Sequence, residues 1–267
     1  LPTGSRATVE PAPALGRGAS ALVAGLEREL KAAGTPERAV NEKRYLKSRL
    51  TFFGASVPAM HKVVTAFHKA DPGLDRGRLI AIVKEMWASD IHELHMAAVE
   101  LLDVYSGLLE AEDMALIERM VRTSYTWAYV DSLAASVAGR LVEKHPRLAR
   151  MLDRWAKDGD FWLRRSAMLA LLLPLRRGKG DWARFVRYAD SMLEEKEFFI
   201  RKAIGWVLRD TSRKRPELVH EYLVSPRHKG EPARAAVASG LTVREAVKHL
   251  SQEQKAAVLQ AQERARE

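Results

Sequence analysis

Trp127 and Asp131 stand four residues apart in the stretch YTWAYVDSLAASVAG, residues 125–139. Residues at i and i+4 share one face of a helix, so an indole and a carboxylate would lie side by side near a helix start. A carboxylate stabilises a developing positive charge, and the electron-rich face of an indole attracts a cation. The pair is therefore a candidate site. The same spacing also fits a plainer arrangement: a core Trp, with an Asp that caps a neighbouring helix or pairs with an Arg. Val130, Leu133, Ala134, Val137 and Ala138 form an apolar face expected to dock into a core. Gly139 is positioned to end or kink the helix.

Three further clusters carry reactive or binding side chains. In Phe161-Trp162-Leu163-Arg164-Arg165, Trp162 is expected to pack inward and one Arg to project. In residues 197–209, Phe198, Lys202, Trp206 and Arg209 lie on adjacent helix faces. Tyr45 and Arg49 repeat the i, i+4 spacing within residues 44–49. For each aromatic the alternative is a core side chain at helical spacing. His92 and His95 are spaced i and i+3 but have no third ligand nearby, so no metal site is expected. No Gly-rich phosphate loop, GxSxG or HExxH occurs, so an ATPase, a serine hydrolase and a zincin are unsupported.

The elements that must position these residues are helical. The chain has 267 residues, is 47% hydrophobic and contains no Cys. It can bury a sizeable core, and disulfides, iron–sulfur clusters and thiolate zinc sites are excluded. No apolar run is long enough to span a membrane, and the expected location is the bacterial cytoplasm or nucleoid. Residues 1–19, rich in Pro, Gly, Ala and Ser, are expected to be a disordered tail. Beyond them amphipathic helices follow one another, with links at Gly34, Asp71-Pro72-Gly73, His145-Pro146, Asp158-Gly159 and Arg215-Pro216. One long helix is expected over 125–144, others over 160–173 and 196–214, and no strand is. The links recur at roughly 15 to 25 residues, the rhythm of a two-helix solenoid repeat. The expected fold is all-α: a HEAT-like helical-repeat solenoid over residues 20–250, with a capping helix or tail over 251–267. An irregular helical bundle is the alternative.

The net charge is +10. Residues 161–215 hold 14 Lys and Arg against 6 Asp and Glu, so most of the excess sits in about a fifth of the chain. A concentrated basic segment that also carries aromatics points to a polyanion, nucleic acid above all. On a solenoid it would line a concave surface and bind phosphates with little sequence preference.

Four stretches taken in order resemble the AlkD-type DNA alkylation repair glycosylases, which are built of HEAT-like repeats. They are EKRYLKSRLTFFGASVP, WAYVD, FWLRRSAML and KEFFIRKAIGWVLRD. The resemblance covers about residues 36–250. It departs in the N-terminal tail, the Arg/Gly-rich link at 176–180, a longer segment at 224–241 and an extended C-terminus. It implies Asp131 as the catalytic carboxylate and Trp127 and Trp206 as the aromatic pair flanking the lesion's deoxyribose. Arg165 would be the basic residue beside the carboxylate. Tyr45 would contact DNA near the lesion, with Arg49, Arg164, Lys202 and Arg209 as further DNA contacts. The implied partner is duplex DNA with alkylated bases, bound by a monomer without cofactor or metal. The residues also admit a specialised enzyme for bulky adducts of DNA-alkylating natural products, or a non-catalytic DNA-binding protein.

The implied chemistry suits these residues. Alkylation at purine N3 or N7 makes the base cationic and a good leaving group, so no general acid is needed. The glycosidic bond breaks toward an oxocarbenium-like sugar, which one carboxylate can stabilise while orienting a water. An ordinary aspartate is ionised at neutral pH. The resemblance implies processing through backbone and sugar, without a deep base pocket.

Overall fold

Helices make up nearly all the regular structure in the computed structural model, which describes residues 17–263. Among these residues no strand forms, only isolated bridges such as Thr51 with Ile91. Residues 1–16 of the expected tail lie outside the described residues, as do 264–267; residues 17–19 already belong to the first helix. Among the described residues no helix is long and apolar enough to cross a membrane. The chain divides into two compact units, Leu1–Val104 and Tyr105–Glu267.

The first unit contains α1 (Arg17–Ala32), α2 (Pro36–Leu46), α3 (Val57–Ala70), α4 (Arg76–Trp87) and α5 (His92–Val104). Their starts are written in the sequence. Thr35, Ser56 and Asp75 each accept a backbone N–H of the first turn, and Pro36 and Pro58 sit where a missing N–H costs nothing. The fully buried Leu30, Val64, Leu79, Ile82, Leu101 and Leu102 form the core. The loop after α2 is held by one carboxylate. Glu93, itself buried, accepts from the amides of Phe53 (2.9 Å), Gly54 (2.7 Å) and Ala55 (3.2 Å). Gly54 has φ +82°, and a side chain there would meet the Thr35 carbonyl, so the loop closes on α2 only with glycine.

The second unit contains α6 (Met114–Arg122), α7 (Trp127–Ser132), α8 (Gly139–Lys144), α9 (Ala149–Trp155), α10 (Phe161–Leu169), α11 (Leu172–Arg176) and α12 (Trp182–Met192). It continues with α13 (Phe198–Ser212), α14 (Pro216–Val224), α15 (Arg234–Val237), α16 (Gly240–Ala246) and α17 (Gln252–Glu263). No strict repeat is visible in the sequence, but the side-chain bonds have one. Ser106 with Arg140, Glu110 with Lys144, Asp131 with Arg165, Glu143 with Arg177 and Arg176 with Asp210 are each 34 residues apart. One offset recurring in this way is the register of a helical repeat: equivalent positions on successive helix pairs lie one above the next.

The helix expected over 125–144 is not regular. Between α7 and α8, residues 133–138 form a π-helical segment, a wider turn often found at functional sites. The expected apolar face is fully buried at Val130, Leu133, Ala134, Val137 and Ala138. Gly139, expected to end or kink the helix, does neither: it is helical at φ −59° and ψ −47°, and α8 runs on to Lys144. Its role is close approach. A Cβ there would come 2.7 Å from the Ala170 carbonyl oxygen, so only glycine lets the end of α10 pack this near.

The ring of His92 stacks on Phe52 at 4.2 Å in the first unit. Burial, with smaller effects from His95 and Arg38, holds its pKa down at about 4. The folded imidazole is then neutral while the unfolded one protonates near 6.5, so stability falls as pH drops from about 6.5 to 4 and levels below. The effect amounts to about 3 kcal/mol at most. Denaturant unfolding across that range is expected to show this slope, and His92→Phe to remove most of it.

Candidate active site

The site is built from α7, α10 and α13. Thr126 caps α7 by accepting the Ala128 amide, which makes Trp127 the first helical residue and puts Asp131 one turn further on. Trp127 is 38% exposed; Tyr129 and Val130 between them are buried and anchor the helix. Asp160 caps α10 by accepting the Trp162 amide at 2.8 Å. Trp162 turns inward as its position predicts, and its ring lies 4.7 Å from that of Phe199 on α13.

Arg165 meets Asp131 as a fork. Its Nε donates to Oδ1 at 2.7 Å and its Nη2 to Oδ2 at 2.8 Å. Its Nη1 donates to the Phe199 carbonyl at 2.5 Å, and the guanidinium lies over the Phe199 ring. The Arg165 side chain is 4% exposed and that of Asp131 is 19% exposed. A carboxylate has about four acceptor positions. Arg165 fills one on each oxygen and sets the plane of the group, leaving lone pairs on the exposed side for water or a cation.

Trp206 is anchored differently. It lies two turns after Phe199, hence on nearly the same face of α13. Its indole N–H donates to Asp210 Oδ2 at 3.1 Å. Arg176 donates to the same oxygen from Nε at 2.8 Å and Nη2 at 2.6 Å, and Arg209 donates to Oδ1 at 3.1 Å. Burial pushes the Asp210 carboxyl up, but the hydrogen bonds and charges of Arg176 and Arg209 outweigh it and hold the pKa below the ordinary range.

The remaining candidates fall elsewhere. Arg164 points away from Asp131. It pairs with Glu195 at 2.9 Å and donates to the carbonyls of Asp158 and Gly159. Arg209 is shared between Asp210 and Glu245. A phosphate contact by either would require it to exchange carboxylate partners. The Lys202 ammonium lies 5.9 Å from the exposed Phe198 ring. Tyr45 and Arg49 are exposed on the first unit, at the end of α2 and just beyond it. Among the described residues no group of three or more His, Asp or Glu side chains is placed to hold a metal ion.

The residues that sequence reading passed over are Asp210 and Arg176. The signal was present: Trp206 and Asp210 have the same Trp-x-x-x-Asp spacing as Trp127 and Asp131.

A model of the DNA alkylation repair enzymes matches residues 26–250. The chain belongs to that family. Solved structures share the fold. A predicted DNA alkylation repair enzyme from Enterococcus faecalis superposes with a TM-score of 0.70 at 24% identity, covering 82% of this chain and 97% of that one. AlkD2 from Streptococcus mutans gives 0.60 at 18% identity, covering 87% and 99%. No curated protein matches significantly. As a member of the family, the protein has an all-α helical-repeat fold and a place in DNA alkylation repair.

Replacing Asp210 by Asn is expected to cost about 2 kcal/mol, because Arg176 and the Trp206 indole lose a charged acceptor while Arg209 keeps only Glu245. Urea unfolding at neutral pH checks the loss, and tryptophan emission should shift to the red as the Trp206 ring loosens. Because the folded pKa is depressed, this contribution is present above about pH 4 and lost as pH falls below. The variant should therefore lose less than the wild type on further acidification.

Proposed function

We propose that the protein is a DNA glycosylase that hydrolyses the N-glycosidic bond of cationic N3- or N7-alkylated purines in duplex DNA. The observation that carries this reading is the Asp131 carboxylate, fixed by a buried Arg165 yet open on one side, with the part-exposed Trp127 one turn before it. In this reading the electron pair of the C1′–N9 bond leaves with the base, which departs neutral. Positive charge grows on the deoxyribose, where Asp131 stabilises it, and the faces of Trp127 and Trp206 add cation–π attraction of about 0.5–2 kcal/mol each. A water oriented by Asp131 adds at C1′, and its proton passes to bulk water, so the sugar gains a hydroxyl and the charge of the alkylated base leaves as a proton. Arg165 acts as a positioning residue. No second carboxylate is required, because the leaving base is already charged.

Residues 20–250 work as one glycosylase domain in this reading, as a monomer and in the compartment that holds the DNA. Tyr45, Arg49 and Lys202 are the proposed DNA contacts. Arg164 and Arg209 join them only by exchanging their present partners. Selectivity of the bond cleavage itself rests on lesion charge and bond lability more than on contacts to the base.

Duplex carrying one 7-methylguanine or 3-methyladenine should release the base in the presence of the wild type. Asp131→Asn should slow release by about 100-fold or more while duplex binding stays within a few-fold. Absence of release from either lesion by the wild type, with binding intact, would sink the reading in favour of a binding protein or an enzyme for bulkier adducts.

Binding to undamaged duplex should weaken steeply between 50 and 200 mM salt, by roughly three orders of magnitude for about six phosphate contacts. A flat response would remove the proposed basic DNA surface.

A further inference from the structure

Tyr125 occupies a backbone position that favours glycine. Its φ is +50°, in the left-handed region where an L side chain crowds its own backbone. Among the described non-glycine residues only Lys47 shares this feature, at φ 49°, and Lys47 has a local reason: it ends α2, with its amide donating back to Arg44 and Lys43. Tyr125 sits in the turn that runs from Thr123, which closes α6, to Thr126, which opens α7. The turn needs a left-handed residue, and Gly or Asn would supply it with less strain.

The side chain does not recover the cost inside the protein. Tyr125 is 81% exposed, the most exposed of the large hydrophobic residues described. No hydrogen bond, ion pair or ring contact joins it to another described residue. A large aromatic ring on a strained backbone, returning nothing to the fold, marks a position held for a partner.

The location names the partner. Tyr125 precedes Trp127 by two residues, so their Cα atoms are separated by at most about 7 Å, the length of two base-pair steps. Asp131 follows one helical turn beyond Trp127. A duplex that presents its deoxyribose to Asp131 passes within reach of this ring. The flat aromatic surface that DNA offers there, independent of sequence, is the face of a base unstacked at the lesion. We propose that Tyr125 stacks on a nucleobase exposed at the lesion, and so acts as a lesion-sensing contact beside the catalytic carboxylate. This rests on the glycosylase reading above.

The test compares two duplexes, one with a single 7-methylguanine and one undamaged, by fluorescence anisotropy at fixed salt. The parent is Asp131→Asn, so that the lesion survives the measurement. Tyr125→Gly, Tyr125→Asn and Tyr125→Phe are added to it. Removing the ring with Gly or Asn should weaken binding to the lesion duplex about ten-fold and to the undamaged duplex less than about two-fold. Tyr125→Phe should bind like the parent. Thermal unfolding of the Gly and Asn variants should occur at or above the parent temperature, because strain is relieved. Equal loss on both duplexes would overturn the proposal in favour of a general backbone contact. Unchanged lesion binding, or a lowered unfolding temperature with binding unchanged, would overturn it in favour of a purely structural residue. A parent that binds neither duplex would overturn the glycosylase reading and this contact together. A parent that binds both, with variants that bind equally well, would overturn the contact alone.

Discussion

A buried guanidinium needs a counter-charge, and much of the second unit is arranged around that need. Arg165 has almost no contact with water, and a charge so placed is tolerated only when its donors are met. Two go to Asp131 on α7 and one to the Phe199 carbonyl on α13, so a single side chain of α10 pins three helices. Such a pair adds little net stability over a well-packed apolar contact, while breaking it strands a charge. Its contribution is geometric. The carboxylate has one orientation, and that orientation is inherited from the stacking of the repeats.

The same logic recurs along the unit with a 34-residue offset, and its second instance shows how one motif serves two ends. Asp131 and Asp210 each follow a Trp by four residues, and each pairs with an Arg 34 residues away. Asp210 is 5% exposed and also receives Arg209 and the Trp206 indole, so its accepting capacity turns inward. Asp131 keeps a side toward solvent. One carboxylate holds an aromatic ring in place; the other is left with lone pairs to offer.

Irregular backbone gathers near the open carboxylate. The left-handed Tyr125 precedes α7, and the π segment at 133–138 follows it. Gly139 then permits contact with the Ala170 carbonyl at the end of α10. The helix that carries Trp127 and Asp131 is thus bounded by two departures from ideal geometry and seated by one close approach.

By itself the sequence determined the helices. Cap residues such as Thr35, Ser56, Asp75 and Asp160 sit where first-turn amides need acceptors, and apolar periodicity marks the faces that are buried. These are local rules of hydrogen bonding and side-chain period, read within a few residues. The four stretches that resemble the family were legible too, because residue identity in order is enough to show them. What tertiary structure decided are the long-range pairings. Which of two Trp-x-x-x-Asp motifs keeps an open carboxylate depends on guanidinium groups 34 residues away. Long-range partners likewise turn Arg165 toward Asp131 and its neighbour Arg164 toward Glu195. The π turn and the role of Gly139 were hidden too, since both arise from the approach of another helix. Side-chain type and spacing state what a residue can do; only packing states which partner reaches it and whether water still does.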